Sequence, residues 1–349
     1  MKLLASVTIS FVAGLLVLAG SASAANPNSV TANNTITPAS GPLYKEVARP
    51  VNTVTSAVLT PGPGVTQVDG LMESKVTVTK ELKFVPDPTM PDCTLSNANV
   101  PPDTAKSQCP DSIVGNGESL LYLAQQVLTP INDPVLTVFN GVPHNGNPVL
   151  LIHGYSASTN AGIEFTSELS NGLMDVHIPR LTADSSSPTF SIRVPGEIGT
   201  DPDYAQATCK TGSYESSDTF TYGDRDASGT VSNTSELSTQ PQTQACTGLD
   251  GKAKFAGLKI KAPKSAKSGR KATFQVTIKN TGTASAKNVK IAASGAGKGS
   301  LSVGTVKPET SKTVKVKAKV TGKKGRKVTV KFKATGTASA TGKTKVKIG

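Results

Sequence analysis

Tryptophan is absent and aromatic residues make up only 4% of the chain. That argues against a nucleic-acid surface built on stacked rings. Past residue 25 there are no long stripes of Leu with Glu and Lys at helical spacing, so a helical bundle is excluded. Cysteines number four and histidines three. No Cys-x-x-Cys occurs and no histidine lies close in sequence to a cysteine, which argues against a tetrahedral zinc site. Acids are nearly missing from one end. Asp250 to Gly349 holds 26 Lys and Arg against 2 acids, whereas the remainder holds 11 basic and 22 acidic residues. That split points to two domains of opposite sign.

Glycine (32) and proline (23) are plentiful, and Thr, Ser and Val dominate what remains, a composition that suits many short strands and turns. The first 24 residues read as a signal peptide. Lys2 is its charged start, Val7–Ala19 an apolar run too short to span a bilayer comfortably, and Ala22-Ser23-Ala24 a cleavage site. No later segment is apolar enough to span, so the expected product is secreted or extracellular, or associated with the cell wall. Export permits disulfides. Of the three possible connectivities the local pairs are expected, Cys93–Cys109 and Cys209–Cys246, at ~3–4 kcal/mol each on the chain-entropy account.

Residues 25–70, rich in Asn, Thr, Ser and Pro, read as an extended arm to which Val54–Leu59 adds at most an edge strand. Leu71 to Phe84 alternates as a strand, and Pro86–Pro110 is an irregular loop with a helical turn at Thr104–Gln108. Val114–Glu118 reads as a glycine turn leading into a strand at Ser119–Val127. Its single Gly-x-Gly lacks the third glycine of a dinucleotide-binding loop. The most apolar stretch after the leader is Pro134–Ser158, read as two strands joined by a loop at Asn140–Asn147. Further strands follow at intervals up to Cys246. Residues 71–247 are thus an all-β domain, an antiparallel β-sandwich with jelly-roll-like features. Residues 248–268 are a linker with a possible first strand at Phe255–Ile260. From 269 to 349 apolar residues alternate with lysine, as in Val314, Val316, Ala318 and Val320, placing the lysines outward.

The central stretch ends in His153-Gly154-Tyr155-Ser156, and Gly154–Ser158 approximates a nucleophile elbow. On that reading Ser156 attacks, with His177 as base and Asp175 orienting it, in a secreted serine hydrolase. An elbow must feed a helix, however, and Ile163, Phe165 and Ser167 alternate as a strand. His153 and Ser156 are therefore read as strand residues, and no catalytic residue, metal or cofactor is expected. Asp224, Asp226 and Ser228 resemble part of a calcium loop whose last acidic ligand is out of place, which makes a calcium-dependent module a further alternative.

The segment ATFQVTIKNTGTASAKNVKI (272–291) followed by LSVGTVKPETSKTVKVKAKV (301–320) resembles CARDB-type bacterial Ig-like modules. The resemblance implies an Ig-like sandwich and a spacer or adhesion role. The acidic domain resembles uncharacterised secreted actinobacterial β-sandwich proteins in Cys109–Gly117, Val138–Gly141, Leu150–His153 and Tyr204–Cys209, which implies no catalytic role for His153. The basic charge is 24 Lys and 2 Arg, with Phe255, Phe274 and Phe332 as the domain's only aromatics. That argues against a nucleic-acid partner. The expected function is a non-enzymatic structural or adhesion protein, with glycan or anionic cell-wall polymer as the partner of the lysine-rich domain.

Overall fold

The computed structural model describes residues 28–349 apart from 64–67, 123–129, 171, 180–185, 196–198 and 226–229. The expected signal peptide lies outside the described residues. The fold is nearly all-β and its sheets are mainly antiparallel, in two regions. The first holds β1 (Ser29–Pro38), β2 (Leu43–Tyr44), β3 (Arg49–Thr60), β4 (Gly70–Thr77) and β5 (Leu82–Phe84). After a short helix α1 (Pro102–Gln108) come β6 (Ile113–Tyr122), β7 (Val135–His144), β8 (Asn147–Ser156), β9 (Ala161–Ser170) and β10 (Leu173–His177). Then follow β11 (Ser186–Val194), β12 (Ala205–Ala207), β13 (Ser213–Arg225), β14 (Val231–Ser238) and β15 (Gln242–Ala245).

Apart from β2, these strands form one curled sheet running β14-β13-β4-β10-β9-β8-β7-β6-β11-β3, with β1 on the far side of β3. The segment expected as an extended arm is therefore part of the sheet. β3 is an interior strand, paired along Val51–Thr60 with β1 and along Thr53–Val58 with β11. Its Val51, Thr53, Ala57 and Leu59 alternate inward, which a reading based on Asn and Pro content overlooks.

The free edge of β1 is covered by side chains. Gln244 accepts from the Ile36 N–H at 2.8 Å and donates to the Ile36 carbonyl at 2.9 Å. Gln242 likewise accepts from the Asn34 N–H and donates to the Ala32 carbonyl. Asn34 Nδ2 donates to both oxygens of the buried Asp218, at 3.0 and 2.9 Å. These amides stand in for a neighbouring strand and blunt an edge open to pairing with another chain.

The central stretch forms the hairpin β7–β8. Its turn is the dipeptide Asn145-Gly146, both at positive φ, as a two-residue hairpin requires. The loop is thus shorter than the expected Asn140–Asn147. Asn140-Gly141 lies inside β7, and a bulge follows it. Buried Asn140 accepts from Tyr204 Oη at 3.3 Å and donates to Asp92 Oδ1 at 3.1 Å, a tertiary role that the Asn-Gly turn signal conceals. Similarly, Gly115 and Gly117 are not a turn but the interior of β6. A Cβ there would meet the carbonyl oxygens of Arg193 and Ser191 on β11 at 2.3 and 2.2 Å. Glycine in these two places permits close strand approach.

The loop between β5 and β6 is closed by Cys93–Cys109, a separation of 16 residues, and packs on the outer face of β7–β8. Phe139 and Leu151 from the hairpin meet Leu95, Ala105 and Ile113 there. Cys209–Cys246 spans 37 residues and ties the segment after β12 to the end of β15.

The second region is a sandwich of β17 (Phe255–Lys261), β18 (Ser265–Ala266), β19 (Lys271–Asn280), β20 (Ala286–Gly295), β21 (Gly297–Val306), β22 (Ser311–Val320), β23 (Lys327–Thr335) and β24 (Ala340–Ile348). One layer is β17-β19-β22, the other β20-β23-β24-β18, and β21 joins them. Phe274 and Phe332 face each other across the layers at 5.2 Å. Asn280 organises the Asn-Thr-Gly turn. It accepts from the Lys254 and Gly282 N–H groups and donates to the Ala284 and Val306 carbonyls.

The segment expected to be a linker is itself tied down. β16 (Gly248–Leu249) pairs in parallel with β2. Across the junction Lys45 pairs with Asp250 at 2.9 Å and Arg49 with Glu309 at 3.3 Å, and Glu46 accepts from Ser285.

Candidate functional site

The end of β8 is where the sequence places candidate chemistry. Along this strand Leu150, Ile152 and Gly154 point into the curl of the sheet, while Leu151 and His153 point to the outer face under the stapled loop. His153 is fully buried, and its Nε2 lies 2.9 Å from the Ala98 carbonyl. Burial lowers its pKa, so the ring is held neutral.

Ser156 lies at the strand end. Its hydroxyl donates to Asp133 Oδ1 at 2.7 Å, and the Ser158 N–H donates to Asp133 Oδ2 at 2.7 Å. The Ser156 hydrogen bond holds the Asp133 carboxyl below its ordinary range. A carboxylate that accepts from a serine orients it but is far too weak a base to deprotonate it.

His177 and Asp175 do come together on β10, with His177 Nε2 3.6 Å from Asp175 Oδ1 and His177 Nδ1 3.7 Å from Glu73 Oε1. They are not brought to Ser156. The β8–β9–β10 register sets His177 level with Leu151, two strands across and five residues down from Ser156. At ~3.4 Å per residue and ~4.8 Å per strand, that is on the order of 15–20 Å. The remaining histidine, His144, is at the hairpin tip with Glu168 Oε2 at 2.6 Å. After Ser156 the chain turns through Ala157–Asn160 directly into β9, with no helix.

Glu73, Asp175 and His177 are close enough together to share an ion. Lys75 already occupies Glu73, however, at 2.7 Å, and its hydrogen bond is the main reason the Glu73 carboxyl titrates low. Of the calcium candidates, Asp226 and Ser228 lie outside the described residues. The backbone of Asp224 pairs with Ser232 within the β13–β14 ladder.

The second region presents a different surface. Lys315, Lys317 and Lys319 on β22 are exposed, as are Lys327, Lys331 and Lys333 on β23 and Lys343, Lys345 and Lys347 on β24. The register sets lysine directly against lysine: Lys271 opposite Lys319, Lys331 opposite Lys343, Lys327 opposite Lys347. Like charges in facing positions destabilise a sheet. Both acids of this part of the chain, Asp250 and Glu309, pair with cations of the first region. Among the described residues, none of these nine exposed lysines has a carboxylate partner.

Residues 256–342 match the CARDB family model. CARDB is a bacterial Ig-like domain family, compatible with a non-enzymatic structural or binding module. The CARDB match covers β17 to the start of β24 and includes all but three of the exposed lysines named above. No curated protein sequence matches the chain. The resemblance of the acidic region to secreted actinobacterial proteins gains no support. Similarity to solved structures is at low level, as two of them show. Red sea bream transglutaminase is 10% identical over 91% of this chain and 31% of its own, with a TM-score of 0.22. A Salmonella alpha-2-macroglobulin mutant is 8% identical over 92% of this chain and 23% of its own, also with a TM-score of 0.22. The chain thus spans less than a third of either.

Sequence reasoning missed the inward face of the first region. Leu150, Ile152, Ile163 and Phe165 alternate legibly along β8 and β9, but alternation says only which way they point. That the curl leaves space between them is a property of eight strands, β3, β4 and β6 to β11, wrapping round one another.

Proposed function

We propose that this is an exported, non-enzymatic protein of the bacterial cell surface whose lysine-rich Ig-like region adheres to anionic cell-wall polymer. The observation that carries the reading is the facing lysine rows without carboxylate partners. A sheet that sets lysine against lysine gives up stability when alone. A phosphate- or uronate-bearing polymer laid along the rows removes that cost and gains the attraction. The surface suits loose, repetitive anions. Lysine is a point charge on a flexible stem, without the planar fork that selects one phosphate geometry. Both disulfides fit an oxidising extracellular setting. No helix among the described residues is long and apolar enough to cross a membrane.

Against the hydrolase alternative, no histidine among the described residues hydrogen-bonds Ser156, whose hydroxyl meets Asp133 instead. The test is cosedimentation of the full-length protein with cell walls that carry their anionic polymers and with walls chemically stripped of them. Binding to the first and loss from the second is expected. Equal binding to both would place recognition on the glycan backbone and remove the lysines from the account.

The buried neutral His153 makes a separate prediction. An unfolded histidine takes up a proton near pH ~6.5, whereas the folded one resists. Stability is therefore full above that pH and declines below it, with a slope of up to ~1.4 kcal/mol per pH unit from one proton. Melting temperatures taken between about pH 7 and 5 should fall more steeply for the wild type than for His153→Gln. Parallel slopes would show that His153 is not the group responsible.

A further inference from the structure

Protein interiors rarely leave a void larger than one water molecule. The curled sheet of the first region leaves a cavity of about 420 Å³. Its wall is drawn from strands all round the curl, including Val76, Leu136, Ile152, Ile163, Phe165 and Phe190. Among the described residues no charged side chain lines it. The packed cluster around Tyr204, Leu82 and Val114 fills the space towards the β7–β8 turn end. The cavity reaches the opposite end of the strands, at Pro134, Ser156, Thr159 and Ala161.

Three features narrow the occupant. The volume falls within the ~300–1,000 Å³ of small-molecule pockets, and the apolar wall is a poor host for water. One polar atom stands out on that wall. Ser74 Oγ belongs to a residue only 3% exposed and has no hydrogen-bond partner. A buried hydroxyl without a partner costs free energy that a ligand carbonyl or hydroxyl would recover. At the mouth the ionised group is Asp133, bonded to Ser156, and among the described residues no lining residue is cationic. A carboxylate head would meet the like charge of Asp133 there with no described cation to pair it, which disfavours a fatty-acid anion.

We propose that this cavity binds one uncharged lipid chain carrying an ester or hydroxyl group. The chain lies against the aliphatic and phenyl wall, and the polar group accepts from Ser74 Oγ. The inference is independent of the lysine rows. It holds or fails whatever the Ig-like region binds.

The test uses the full-length protein, the neutral fluorophore N-phenyl-1-naphthylamine and two competitors, monolauroylglycerol and laurate at alkaline pH. Saturable one-to-one binding of the fluorophore is expected. Monolauroylglycerol should displace it, and laurate should be roughly ten-fold or more weaker as a competitor. Ile163→Trp, which adds a ring to the cavity wall, should weaken fluorophore binding about ten-fold or more. As the protein's sole tryptophan, it also reports residual binding by energy transfer. Ser74→Ala keeps the cavity's shape and should lower monolauroylglycerol affinity about three- to ten-fold through loss of one hydrogen bond. Absence of saturable binding by the wild type would overturn the proposal. So would displacement by laurate as readily as by the glyceride, or a folded Ile163→Trp protein that binds as well as the wild type.

Discussion

Phe139→Ala should cost about 3–5 kcal/mol of stability, the range for emptying a buried phenyl site. Phe139 is fully buried, yet it is not part of the inward-facing core. It points to the outer face of β7, where it packs with Leu151 beneath the loop stapled by Cys93–Cys109. The disulfide keeps that loop covalently closed, but packing on Phe139 and Leu151 is what seats it. The variant should therefore show a lower denaturation midpoint in urea together with faster proteolysis within residues 86–110. A stability within ~0.5 kcal/mol of wild type would mean the loop rests on the hairpin without contributing to it.

The second large effect concerns Lys315, Lys317 and Lys319. These occupy alternate, outward positions of β22, while Val316 and Ala318 between them are buried. Replacing all three by Gln should leave the sandwich folded, since their side chains reach only solvent. It should also relieve the Lys271–Lys319 repulsion and raise the melting temperature slightly. Affinity for anionic polymer should fall. At ~1 kcal/mol per lysine near an anionic surface, the loss is ~3 kcal/mol, on the order of a hundred-fold. Fluorescence polarisation with a labelled polyphosphate reads this directly. An unchanged affinity would move the contact to the β23–β24 face, or off the lysines altogether.

How far these features were legible in the sequence differs between the two regions. In the second, strict alternation of Val and Lys fixes both the strands and their faces, because an exposed lysine and a buried valine are unambiguous. In the first, the same period-two logic finds β8 and β9. It fails where residue identity has a second cause. Gly115 and Gly117 suggest a turn but serve close strand approach. Asn140-Gly141 also suggests a turn, yet Asn140 is buried to receive Tyr204. Residues 28–63 look too polar for a core, but β1 is held by the side chains of Gln242 and Gln244, some 208 residues away in sequence. Contacts that distant leave no local pattern. The same limit applies to the candidate site. His153-Gly154-Tyr155-Ser156 reads as a catalytic string, but alternation sends His153 outward and Ser156 towards the cavity mouth. Only the folded sheet shows that Ser156 meets Asp133.

The central claim is that adhesion is carried by unpaired lysine charge, and the wall-binding experiment repeated across a salt series tests it most directly. If several lysines neutralise polymer charges, the logarithm of the binding constant should fall linearly and steeply with the logarithm of salt concentration. Binding should be gone by about 1 M, where charges are screened beyond ~3 Å. Binding that persists unchanged at that salt would contradict the account.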